Sequence, residues 1–237
     1  MIFRQLFDRT SCTYTYLLGD ENTGEAVLID PVDTLVDRDL QLVEELGLKL
    51  VATIETHVHA DHVTGACRLR DRVGSQVITP AVAGVQGADR GVGEGDVITF
   101  GRYTLEVRPT PGHTEACTTY YLREQPMLFT GDTLFVRGCG RTDFQGGCAA
   151  TLFESVQKHI FSMPDDTPIY PGHDYKGRTM TTVGEEKAYN PRLGGGKTRS
   201  DFVGIMDNLN LDDPALMHVA VPANMLAGGC SVEQADA

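Results

Sequence analysis

Short apolar runs, broken by turn residues, recur along the first half of the chain. Residues 13–18 and 26–29 are rich in β-formers and are separated by the Gly/Asp/Asn-rich stretch 19–24, which predicts two strands and a turn. Val36, Leu40, Val43 and Leu46 fall at helical spacing, and Gly47 supplies a stop. Residues 50–54 read as a buried strand, so the first third reads strand, strand, strand, helix, strand. A helix over 63–73, closed by Gly74, follows. Residues 97–100 and 103–107 predict a hairpin about Gly101 and Arg102. Strands over 117–122 and 127–130, a helix over 152–160 and a short strand ending at Tyr170 come next. Helices over 179–188 and 202–209 flank a loop at Gly194, Gly195 and Gly196. Alternating strands and helices place the chain in the α/β class. The hairpin-like strands in the middle favour two mixed sheets with helices outside over a purely parallel sheet. With no repeat, linker or low-complexity tract, 1–237 reads as one domain.

The pattern breaks at four places, each time just after an apolar run. The breaks are T-H-V-H-A-D-H at 56–62, P-G-H-T at 111–114, T-G-D-T at 130–133 and P-G-H-D at 171–174. Ligand sites in open α/β sheets gather beyond strand ends. Glycine beside His113, Asp132 and His173 lets the backbone turn sharply there. A lone histidine is more often a satisfied core or surface residue than a ligand. Four ligand-type residues within six positions is a different matter, because burying them unpaired would be costly. Together His57, His59, Asp61, His62, His113, Asp132 and His173 form an imidazole and carboxylate donor set. It suits Zn, Fe, Ni or Mn and does not call on thiolate. His159 and His218 lie outside the motifs and read as structural or surface residues. The spacing alone fits one metal or two.

Composition narrows the partners. The formal net charge is −13, which argues against nucleic acid and against anionic membrane surfaces. No stretch approaches the roughly 20 apolar residues of a membrane span. The six cysteines include no C-x-x-C pair, and the first residues lack the apolar run of a secretory signal. Reduced thiols and a cytoplasmic location are therefore expected. Cys139 and Cys148 read as packing thiols, without an activating base nearby in sequence.

The H-x-H-x-D-H motif with its distant His, Asp and His resembles the metallo-β-lactamase superfamily. This implies an αβ/βα sandwich, two mixed sheets with helices on the outer faces and a metal cleft at one edge. R-G-C-G-R-T-D-F-Q-G-G-C at 137–148, I-Y-P-G-H-D-Y at 169–175, N-P-R-L at 190–193, I-M-D-N-L-N-L at 205–211 and V-P-A-N at 221–224 are similar to the persulfide dioxygenase family. That resemblance implies one Fe(II) per chain on His57, His113 and Asp132, with His59, Asp61, His62 and His173 supporting rather than ligating. It also implies oxidation of glutathione persulfide by O2 and water to sulfite and glutathione, with Arg141, Tyr175 and Arg192 as glutathione contacts. A homodimer is implied, and a separate rhodanese is a possible persulfide source. The alternative reading for Arg141 is a structural pair with Asp143. Two alternatives stand for the whole chain: a glyoxalase II-like dinuclear hydrolase of glutathione thioesters, and a non-catalytic glutathione or sulfur-binding module. A β-lactam hydrolase is a weaker third, because no export signal is evident.

Overall fold

The computed structural model describes residues 1–212, 214 and 216–229. The first sheet is built from β1 (Ile2–Phe7), β2 (Tyr14–Gly19), β3 (Glu25–Ile29), β4 (Lys49–Ile54), β5 (Gln76–Pro80) and β6 (Arg90–Val92), in that spatial order. The second holds β7 (Val97–Phe100), β8 (Tyr103–Pro109), β9 (Thr118–Leu122), β10 (Met127–Gly131), β11 (Pro168–Pro171) and β12 (Thr181–Thr182), ordered β12-β11-β10-β9-β8-β7. Both sheets are mixed. In the first, β1–β2 and β2–β3 pair antiparallel, and the remaining pairs are parallel. In the second, only β10–β11 is parallel.

Alternation along the strands explains the layers. Tyr14, Tyr16 and Leu18 of β2, with Val27 and Ile29 of β3, face Phe100, Leu105, Val107, Tyr120 and Phe129 of the other sheet and form the central core. The intervening Leu17, Ala26 and Leu28 turn outward, under α1 (Val36–Glu45) and α2 (Ala66–Val73). On the far side Leu128 and Ile169 meet Leu152 of α3 (Ala149–Ser155) and Phe202 of α5 (Arg199–Asp207). Strands buried on both faces read as continuous apolar runs, which is why β2 and β4 were legible without clean alternation. The helix–sheet–sheet–helix sandwich and the expected two mixed sheets are both present.

Several boundaries differ from expectation. The helix expected over 63–73 starts at Ala66, because the Asp33 N–H donates to the Val63 carbonyl and the Thr64 N–H is drawn to Asn224. It does end at Gly74, in the left-handed region at φ 71°. The helix expected over 152–160 begins at Ala149 and passes into a π-helical turn, Val156–Ile160. The helix expected over 179–188 starts only at α4 (Val183–Tyr189), after Thr181 and Thr182 pair with β11. Neither β5 nor β6 was expected, nor was α6 (Met217–Asn224), which carries Pro222. Cys12, Cys117, Cys139 and Cys148 are free thiols, whereas Cys67 is disulfide-bonded, against the expectation of reduced cysteines throughout. Cys148 is exposed, which corrects its reading as a packing thiol, while Cys139 is buried as expected. Cys230 lies outside the described residues. No helix among the described residues is long and apolar enough to cross a membrane.

Candidate metal centre

All four polar motifs follow the C-terminal ends of strands. The 57–62 loop follows β4, His113 follows β8, Asp132 follows β10 and His173 follows β11. Because β8, β10 and β11 run in one direction, their ends lie along one edge of the second sheet. The Thr118 N–H donates to the Thr56 carbonyl at 2.9 Å and ties that edge to β4. Two of the flanking glycines are needed for backbone shape, with Gly112 at φ 140° and Gly131 at φ 49°. The third serves for space, since a Cβ on Gly172 would lie 2.6 Å from Asp132 Oδ1.

His57, His113 and Asp132 come together with their donor atoms within 4.8 Å of one another. Their neighbours dictate which atoms are free. The Thr56 hydroxyl donates its one proton to Asp30 Oδ2 at 2.8 Å, so it accepts from His57 Nδ1 at 3.0 Å. His113 Nδ1 donates to the Arg141 carbonyl at 2.7 Å. With Nδ1 engaged, each imidazole has Nε2 left for a metal, and His113 Nε2 lies 3.6 Å from Asp132 Oδ2. Such partners fix tautomer and ring orientation in metal sites. Burial, aided by His59, pushes the His57 imidazole well below its usual range and keeps it neutral. Burial would raise the Asp132 carboxyl, but His173 outweighs it and holds it ionised. Two imidazoles and a carboxylate, oriented by outer bonds, fit a divalent metal ion.

The other four residues of the motif set are engaged differently. His173 Nδ1 lies 2.6 Å from Asp132 Oδ1, and its Nε2 lies 2.9 Å from Asp61 Oδ2. Carboxylates accept, so both ring nitrogens donate. Burial opposes a charge on His173, yet Asp132 and Asp61 raise its pKa well above normal. His62 Nδ1 sits 3.0 Å from Asp61 Oδ2. His59 Nε2 points at Asp30 Oδ1 (3.1 Å) and Glu55 Oε2 (3.4 Å), at ion-pair distance without hydrogen-bond alignment. His59, Asp61 and His62 also place donor atoms within 4.8 Å of each other.

The three expected glutathione contacts are placed unevenly. Arg141 pairs bidentately with Asp143 at 2.7 and 2.8 Å and donates to the Asp212 carbonyl, so the structural pair is present. Arg192 donates through Nη1 to the Cys139 carbonyl at 3.1 Å and has no acidic partner among the described residues. Tyr175 is exposed and lies parallel to the His173 ring, 6.0 Å between centroids. Beside the centre a cavity of about 320 Å³ is lined by Val58, Thr114, Glu115, Gln145, Val221 and Met225.

Sequence reasoning missed Thr13, Asp30, Glu55 and Asn224. The Thr13 hydroxyl lies 2.9 Å from His173 Nε2 and 3.1 Å from Asp61 Oδ2. Asp30 is buried and also accepts from the Thr56 N–H at 2.7 Å. An acid directly after the apolar run 26–29 carried the same signal as T-G-D-T, so Asp30 could have been found. Nothing local marks Thr13, and Asn224 entered the sequence reading only as the last residue of V-P-A-N, because the partners of both lie far away in sequence.

The profile of the Metallo-beta-lactamase superfamily matches residues 12–173. The mitochondrial persulfide dioxygenase ETHE1 of Mus musculus is 53% identical over 229 residues, spanning 96% of this chain and 89% of its own. The crystal structure of ETHE1 from Myxococcus xanthus superposes with a TM-score of 0.93 at 53% identity, covering 96% of this chain and all of that one. A hydroxyacylglutathione hydrolase of Polaromonas is 39% identical, but over 68% of this chain and 62% of its own. The chain thus belongs to the persulfide dioxygenase family, within the metallo-beta-lactamase superfamily.

Proposed function

We propose that this protein is a non-heme iron enzyme that oxidises glutathione persulfide to sulfite. The reaction is GSSH + O2 + H2O → GSH + SO3²⁻ + 2 H⁺. The sulfur–sulfur bond breaks, and four electrons pass from sulfur to dioxygen. The observation that carries this reading is 53% identity over 96% of the chain to a persulfide dioxygenase. His57, His113 and Asp132 would hold one Fe(II). When bound, the iron supplies the open-shell redox chemistry that side chains lack.

The chain's own residues do the rest. Asp30 through Thr56, and the Arg141 carbonyl, orient the two imidazoles. His173 neutralises Asp132 on its Oδ1 side and leaves Oδ2 facing the triad. Glutathione brings two carboxylates to a protein of net charge −13, so it needs local cations. Arg192 has guanidinium nitrogens to spare for one of them. Arg141 would exchange Asp143 for a substrate carboxylate, and Tyr175 would lie along the peptide. A homodimer, and persulfide supplied by a separate rhodanese, complete the reading by family resemblance.

The second donor group, His59, Asp61 and His62, favours one rival, a two-metal hydrolase of glutathione thioesters. Metal analysis and oxygen uptake separate the two. Near one iron per chain with O2 consumed on glutathione persulfide supports the dioxygenase. Two metals per chain with cleavage of S-lactoylglutathione and no oxygen uptake would falsify it.

A further inference from the structure

The stretch 55–65 between β4 and α2 carries four of the seven ligand-type side chains in irregular backbone. Buried main-chain groups there need partners from outside the loop. Asp30 takes the Thr56 N–H, and the Gln145 side chain donates to the Val58 carbonyl at 2.9 Å. In the far half, Val63 and Gly65 bond to Asp33 and Pro31, and three further main-chain groups converge on one residue. The Asn224 amide nitrogen donates to the His59 carbonyl at 2.9 Å and the His62 carbonyl at 2.8 Å. Its amide oxygen accepts from the Thr64 N–H at 2.9 Å. Two carbonyls and one N–H leave the amide a single satisfied orientation.

Asn224 ends α6, is 4% exposed, and lies 165 residues from His59 in sequence. The chain beyond it is docked on the same side. The Gln86 N–H donates to the Met225 carbonyl at 2.9 Å, and the Cys67 N–H donates to the Ala227 carbonyl at 3.1 Å. Gly228, at φ 90°, approaches the Thr64 carbonyl so closely that a Cβ would sit 2.2 Å from it. The region matched by the superfamily ends at residue 173, so this fastening comes from outside it.

We propose that Asn224 is a positioning residue for the metal centre. Its amide locks the 59–64 backbone and thereby sets how long the centre retains iron. The proposal rests on the iron reading of His57, His113 and Asp132. Removing the amide strands two buried carbonyls and a buried N–H, and the loop that begins at His57 gains freedom.

The test compares iron-loaded wild type, Asn224→Ala, Asn224→Asp and a control, Ala220→Gly, at a fully buried position of the same helix. Iron release to a chelator is timed, thermal midpoints are recorded, and amide hydrogen exchange is followed at Thr64. Both Asn224 variants should release iron roughly 10–100-fold faster, as expected for outer partners of metal sites. Ala220→Gly should lose thermal stability yet keep the wild-type release rate. Asp is isosteric and can still accept from the Thr64 N–H, but it turns bare oxygens toward two carbonyls. A residue needed only for packing would tolerate it, so wild-type release from Asn224→Asp overturns the proposal. So does a Thr64 amide in the wild type that exchanges like a solvated loop, a measurement that needs no variant to fold. A wild type that holds no iron at all overturns the iron reading instead, while Thr64 protection still reports on the latch.

Discussion

Gly140 stands where two of the triad residues converge, and adding one methyl group there tests the geometry of the whole centre. Its N–H donates to the Asp132 carbonyl at 2.8 Å, and the next residue's carbonyl accepts from His113 Nδ1. A Cβ at position 140 would lie 2.6 Å from the Asp132 carbonyl oxygen and 2.7 Å from His113 Cγ and Nδ1. Non-bonded carbons settle at about 3.5 Å or more, so the ring or the local backbone must shift by roughly 0.8 Å. Neither is free to shift, because the imidazole is tied to the main chain at Arg141. Overpacking of this kind costs about 1–3 kcal/mol, or roughly 2–12 °C in thermal midpoint for a chain of this length. The functional loss should be larger, since a 1 Å misplacement near a reacting centre costs on the order of 100-fold. Gly138→Ala is the control, because a Cβ there meets only Phe135, at 3.7 Å. Gly140→Ala should fold, bind iron poorly and consume oxygen about 100-fold more slowly, with Gly138→Ala near wild type. Iron content by elemental analysis and oxygen uptake with glutathione persulfide are the readouts. If Gly140→Ala matches Gly138→Ala in both, His113 is not held by the 139–141 segment as described.

Three further outcomes are expected. Asp39 is fully buried beside Arg38, and burial pushes its carboxyl up to about 6 against the pull of Arg38. The folded state then holds the proton more tightly than the unfolded chain, so this contribution to stability is full only below about pH 4 and is lost as pH rises through 6. The loss is roughly 3 kcal/mol. Asp39→Asn should therefore gain on wild type by that order between pH 4 and pH 7.5 in urea titrations, and an identical difference at both pH values would contradict the assignment. Arg192→Ala should raise KM for glutathione persulfide about 10-fold or more, with kcat little changed, as for loss of a charge-assisted contact made equally in ground and transition states. A fall in kcat at constant KM would remove Arg192 from the binding role. Burial pushes the Cys117 and Cys139 thiols up to about 12 and about 11, whereas a hydrogen bond to Thr151 lowers the exposed Cys148. A thiol reagent at pH 7.5 should label Cys148 quickly and reach Cys117 and Cys139 only on unfolding; fast labelling of Cys139 in the native protein would be the contrary result.

What the sequence made legible follows from where each signal resides. The strands buried on both faces, β2 through β4, announced themselves as apolar runs, and α1 by its helical spacing. The seven donor residues stood out because polar clusters interrupted those runs at strand ends. β5 and β6 are short and carry little pattern of their own. α6, with Pro222 and no polar stripe, gives no helical period, and its position is set by docking onto the 57–64 loop. The same limit explains the missed site residues. Thr13 and Asn224 act through partners 48 to 165 residues away, a relation that no local window contains. Arg141 is the instructive case. Its side chain attracted attention as an anion contact, yet the structure engages it with Asp143 and uses its main-chain carbonyl to orient His113.

One donor set can serve hydrolysis or oxidation, and the proposed single-iron reading draws its support from the bonding around Asp132 rather than from which residues are present. A bridging carboxylate between two metals must offer an oxygen to each. Asp132 Oδ1 is already committed to His173 at 2.6 Å, and only Oδ2 faces His113. His173, the ligand a second metal would need, is held between Asp132 and Asp61 with both nitrogens donating. Recruiting His173 to a second ion would mean breaking its contacts with two carboxylates together. Each such bond resists more than a neutral one does. In the proposed single-iron reading the Asp61–His173–Asp132 ladder occupies Oδ1 of Asp132 and leaves His57, His113 and Oδ2 as the three donors.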